Sequence, residues 1–103
     1  MKTIAVLAAC FALGGPTLAL AQSGAGAIYT SKCQVCHGAD GRGNTPAGQK
    51  LSTPDFHSPQ VAKMSDAELF GIIKKGKGTM PPYDIKLTDD QIKQLIIYMH
   101  SLK

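Results

Sequence analysis

Residues 33–37 read Cys33-Gln34-Val35-Cys36-His37, and C-x-x-C-H is the spacing of covalent haem attachment. Two thiols one helical turn apart can add to the two vinyl groups on one edge of a haem. The adjacent imidazole is then aimed at the iron from the same face. Other chemistries share parts of the pattern. A thioredoxin-like dithiol needs a βαβ setting, and no alternating run here exceeds a few residues. A zinc site would draw on Cys33, Cys36, His37 and either His57 or His100, but structural zinc favours better-separated ligand pairs. A plain Cys33–Cys36 disulfide closes too small a ring to stabilise much, and it leaves His37 without a role.

Upstream of the motif the chain reads as an export signal. Lys2 is a positive n-region, residues 3–13 are an apolar run too short to span a bilayer, and Gly14-Gly15-Pro16 breaks any helix. Ala19-Leu20-Ala21 is an A-x-A cleavage site, which makes 1–21 a signal peptide and 22–103 the mature domain. Leu7-Ala8-Ala9-Cys10 also has the look of a lipoprotein box, but its apolar region would be unusually short. Cleavage removes Lys2 and Cys10, lowering the formal charge from +4 to +3 and leaving Cys33 and Cys36 as the cysteines of an exported domain.

The whole chain is 103 residues long with three Tyr, three Phe and no Trp. That length excludes a multi-domain enzyme, and the composition excludes a coiled coil or a polytopic membrane protein. A mature domain this small sits where one hydrophobic core is marginal and a cofactor or staple usually helps.

Downstream, the pattern predicts an all-α domain of three to five short helices with long loops wrapped around one haem. A short helix is expected over 25–34, and an irregular segment rich in Gly, Pro, Ser and Thr over 38–59. Ser65-Asp66-Ala67-Glu68 is a capping box opening a helix over about 66–75, with Met64 and Leu69 placed as a hydrophobic staple. Gly76, Gly78 and Met80-Pro81-Pro82 end it. Thr88-Asp89-Asp90-Gln91 opens the last helix, whose apolar stripe is Ile92, Leu95, Ile96 and Met99.

If His37 is one axial ligand, a six-coordinate haem of this kind commonly takes a methionine on the other face. Met99 has a packing role on the stripe, and Met64 is occupied by the staple. Met80 sits on a Gly/Pro loop whose backbone is already restricted, so bringing its thioether to iron costs little ordering. Met80 is the choice. His57 or His100 would give bis-histidine ligation instead.

Cys33 to Asp40 (CQVCHGAD), Gly41-Arg42-Gly43, Pro46, Pro54-Asp55-Phe56, Met64 to Ile73, Gly78-Thr79-Met80-Pro81 and Leu87 to Leu102 together resemble the class I c-type cytochromes, in particular short exported bacterial monohaem ones. The resemblance covers essentially the whole mature chain. It implies thioethers at Cys33 and Cys36, iron ligation by His37 and Met80, and a hydrogen bond from the other ring N–H of His37 to the carbonyl of Pro46. It also implies that the first and last helices cross through a small residue and an aromatic. Ala25 and Tyr29 against Tyr98 would match; the usual glycine is alanine here, with Gly26 beside it.

A haem filled on both axial sides has no open position for substrate, so no enzymatic activity is expected. The expected role is a soluble periplasmic one-electron carrier holding one haem c and its iron. The alternatives are an electron-transfer subunit of one oxidoreductase, or a gas sensor with a displaceable methionine. Expected partners are donor and acceptor redox proteins with an acidic docking surface, met by Lys74, Lys75, Lys77 and Lys86 around the Met80 loop. Neither nucleic acid, nor membrane insertion after signal cleavage, nor an oligomer is expected.

Overall fold

The computed structural model describes residues 24–103; the expected export signal, the expected cleavage site and Cys10 lie outside them. The first helix, α1, runs over 24–37. It widens to π-helical geometry over Tyr29–Cys33 and tightens again over Gln34–His37. It thus continues three residues beyond the expected 25–34 and carries the whole C-x-x-C-H motif in its final turns. Gly38, at φ 83°, ends it in a left-handed conformation that a side chain would resist.

The segment expected to be irregular contains α2 (Pro46–Lys50) and leads into α3 (Pro59–Ala62). Both begin alike. An extended Thr45 or Ser58 accepts a hydrogen bond from the N–H three residues on, and a proline follows at a position whose N–H would be unpaired anyway. One turn is too short for hydrophobic periodicity, so only the Thr-Pro and Ser-Pro pairs announce these helices.

Thr45 has a second task. Its hydroxyl accepts from Gly48 N at 2.9 Å and donates to the carbonyl of Val35 at 2.6 Å. This seats α2 on the end of α1. A Cβ on the buried Gly48 would come within 2.6 Å of the Gly43 carbonyl oxygen and closer still to that of Cys36. Gly48→Ala must therefore push on the backbone of the motif, and we expect it to cost ~1–3 kcal/mol as an overpacked site. Gly71, inside the fourth helix, has nothing near its Cβ position. There Gly71→Ala should stabilise by ~0.5–1 kcal/mol through helix propensity. Urea unfolding of the two variants should thus move in opposite directions.

Helices α4 (Asp66–Lys75) and α5 (Asp89–Ser101) each start with the expected capping box, formed in both directions. They pack on one another. Leu69 and Ile73 of α4, Ile92, Leu95 and Ile96 of α5, Leu87 between them and Tyr29 of α1 make the core. Met99, on the same stripe, is only partly buried.

The crossing of α1 over α5 is made by Gly26, whose Cβ position is 3.3 Å from Cε2 of Tyr98. Ala25 is buried beside it, and the rings of Tyr29 and Tyr98 lie 5.2 Å apart. Among the described residues there is no β-strand, only an isolated bridge between Lys77 and Met80. None of the described helices is long and apolar enough to cross a membrane.

Candidate haem-binding site

A cavity of about 370 Å³ opens between the end of α1 and the segment that follows α4. Cys33, Cys36 and His37 line it from one side, and Met64, Leu69 and Met80 contribute elsewhere to its wall. A second void of about 30 Å³ is lined by Tyr29, Phe56, Leu95 and Met99, and shares Cys33, His37, Met80 and Tyr83 with the first. The polypeptide therefore leaves apolar space where a domain this small would normally be filled.

Each chemical group at the cavity is held by the local fold. His37 sits in the last turn of α1, with its ring 4.7 Å from that of Phe56. Its Nδ1 is buried and has no hydrogen-bond partner. Burial holds the imidazole below its ordinary pKa of 6.5, so the ring is neutral near pH 7 and keeps a free lone pair for a metal. Met80 closes a tight turn in which Lys77 N donates to Met80 O and Met80 N donates to Lys77 O, both at 3.0 Å. Gly76, at φ 80°, lies under that turn, its Cβ position 2.8 Å from the Met80 carbonyl oxygen. The Met80 turn is thus held by its own backbone.

The competing readings of the motif find no support. Cys33 and Cys36 are free thiols, not a disulfide. Burial pushes the Cys33 thiol up to about 11, the reverse of the depressed value that activates a redox dithiol. Among the described residues no group of three or more His, Cys, Asp or Glu is placed to hold a metal ion, as a zinc site would need. His57 Nε2 is 3.0 Å from the Asp40 carbonyl oxygen and His100 Nε2 is 2.9 Å from Asp66 Oδ1. Neither histidine lines either cavity.

Three expectations are modified. Met64, assigned to the staple, also lines the larger cavity; Met99 lines only the smaller, and Met80 lines both. The contact from His37 to the Pro46 carbonyl is not formed, since Nδ1 is unpartnered. Pro46 is held at the start of α2 by the Thr45 cap and lines neither cavity, whereas Pro54 lines the larger one. Pro54-Asp55-Phe56 was the better pointer, because Phe56 stacks beside the imidazole.

The lysines also divide differently. Lys74 is paired to Asp89 at 3.0 Å, and the ammonium of Lys86 lies over the Tyr83 ring. Lys77 reaches the cavity together with Lys32, a residue the sequence did not single out. No carboxylate lines the cavity. Asp40 and Asp55 face Arg42, each at 3.6 Å.

Residues 19–99 match the family model described as cytochrome C oxidase, cbb3-type, subunit III. The chain belongs to this family. It is 34% identical over 77 residues to the Cbb3-type cytochrome c oxidase subunit FixP of Bradyrhizobium diazoefficiens, a match covering 73% of the chain and 25% of the relative. FixP of Rhizobium meliloti is 32% identical over the same shares. The chain spans about a quarter of the length of these relatives. Among solved structures it is similar to the KustC0563 c-type cytochrome, with a TM-score of 0.67 and 30% identity over 77% of this chain and 98% of that one.

The domain is therefore an all-α class I cytochrome c domain, an electron-transport module whose cofactor is haem c with its iron. The residues present fit that group. Two free thiols, a neutral imidazole and a thioether border one apolar cavity.

Proposed function

We propose that this domain relays single electrons between protein partners, as the haem-bearing electron-transfer unit of a larger oxidoreductase in the exported compartment. The observation that carries the reading is that His37 and Met80 border the same two cavities as the attachment cysteine Cys33. In this reading Cys33 and Cys36 hold the haem by thioethers, and His37 and Met80 ligate its iron. When bound, the haem supplies a ferric/ferrous couple. The polypeptide does the rest. The α1 turn fixes the imidazole, the Lys77–Met80 turn fixes the thioether, and filling both positions leaves no place for a substrate. The soft thioether favours the ferrous state, and the apolar wall favours the less charged core.

The family match and the FixP relatives support a subunit-like module. A free carrier is the second reading, supported by KustC0563, of which this chain covers 98%. Either way Lys32 and Lys77, with no carboxylate on the cavity wall, suit an acidic partner surface. Chromatography of a native extract tests the assembly: the haem-stained chain should co-elute with an oxidoreductase. Elution alone at monomer size would replace the subunit reading with the free carrier. With either partner, electron transfer should slow as salt rises and slow further in Lys77→Glu. A rate indifferent to both would end the acidic-partner reading.

A further inference from the structure

At its far end the segment that carries Met80 is tied down by Asp84, whose N–H donates to the Lys74 carbonyl at 3.1 Å, and by Tyr83. The Tyr83 backbone N–H donates to the carbonyls of Ile73 and Lys74, at 3.1 and 3.2 Å, which pins the segment to the last turn of α4. Its ring lines both cavities beside Met80. Its hydroxyl donates to the carbonyl of Lys32 at 3.2 Å, joining positions 51 residues apart. Lys32 immediately precedes Cys33. The hydroxyl thus ties the segment bearing one proposed ligand to the helix bearing the other and both thiols. Between Met80 and Tyr83 the chain is Pro81-Pro82, whose fixed φ angles leave little slack to absorb a movement of either end. The ring itself packs against the core cluster, so the hydroxyl's bond is separable from the ring's packing.

We infer that Tyr83 is a positioning residue, a clasp whose hydroxyl holds the Met80 segment against α1 and so slows the release of the Met80 thioether from iron. The inference rests on the axial role proposed for Met80. Breaking the clasp leaves the bound geometry in place and makes its opening more frequent. A single hydrogen bond of ordinary net strength corresponds to roughly 3–10-fold in that opening.

The test uses the haem-loaded protein, with Tyr83→Phe, which removes only the hydroxyl, and Tyr83→Leu, which also removes the ring. Imidazole is the probe: it can bind ferric iron only when the methionine has left. Tyr83→Phe should bind imidazole roughly 3–10-fold faster, with the near-infrared methionine-to-iron band intact at rest. The urea midpoint of helical circular dichroism should fall by no more than one such bond is worth. Tyr83→Leu should be faster still and lower that midpoint.

An unchanged imidazole rate in Tyr83→Phe would overturn the clasp. So would an equal rate increase in Thr88→Ala, which removes the N-cap of α5 and costs a comparable global stability, since the bond would then be merely structural. A parent protein without the near-infrared band would instead remove the Met80 ligation on which the clasp depends. The two failures are therefore distinguishable.

Discussion

Replacing Cys33 and Cys36 together by alanine should release the haem into acid-acetone and leave a chain that no longer folds. The chemical half follows from the attachment role proposed for the two thiols. The folding half follows from the cavity. Among the described residues only the side chains of Tyr29 and Ile92 are fully buried, and the core around them borders an apolar space of about 370 Å³. Without the haem that apolar wall stays in contact with water instead of being buried, forgoing a contribution on the order of a few kcal/mol. A domain of this size has roughly 4–12 kcal/mol of stability in total. Loss of the helical circular dichroism signal in the double variant, produced in a host that matures c-type haem, is the measurement. Haem that stays with the precipitated protein would show the attachment to be elsewhere. A fully helical variant without haem would show that the loops can close over the space unaided.

Met80→Ala should remove the near-infrared band, let the ferrous protein bind carbon monoxide rapidly, and lower the reduction potential. Axial ligands set haem potentials over a range of ~0.8 V, so a shift on the order of 100 mV is expected. The controls are the other two cavity-lining methionines. Met64 borders the larger cavity and packs against the core cluster. Met64→Ala should cost ~1–2 kcal/mol in urea and keep the band. Met99→Ala, which borders only the smaller void, should keep it as well. A band that survives in Met80→Ala and vanishes in Met64→Ala would transfer the axial role to Met64. That outcome is structurally specific, because Met64 and Met80 share the larger cavity and only Met80 reaches the smaller one.

Both expectations rest on residues legible from the sequence for different reasons. Cys33, Cys36 and His37 are adjacent in the chain, so their chemistry is local and their spacing alone carries it. Ser65 with Glu68, and Thr88 with Gln91, are equally local, and both capping boxes form as read. The stripe on α5 was readable because thirteen residues give the 3.6-residue period room to repeat. Helices α2 and α3 were not, because four or five residues hold barely one turn, and their start signals lie in Thr45-Pro46 and Ser58-Pro59.

The sequence by itself determined the attachment chemistry, the helical class and the starts of α4 and α5, since each depends on groups within a few residues of one another. Tertiary structure decided which groups meet. It set Pro54 rather than Pro46 in the cavity wall, paired Lys74 with Asp89 while Lys77 and Lys32 stayed at the cavity, and made Gly26 the crossing point under Tyr98. It also carried the hydroxyl of Tyr83 to the carbonyl of Lys32. Such contacts join positions tens of residues apart, and periodicity and capping act over only a turn or two. They exist only once the chain has closed around the space beside His37.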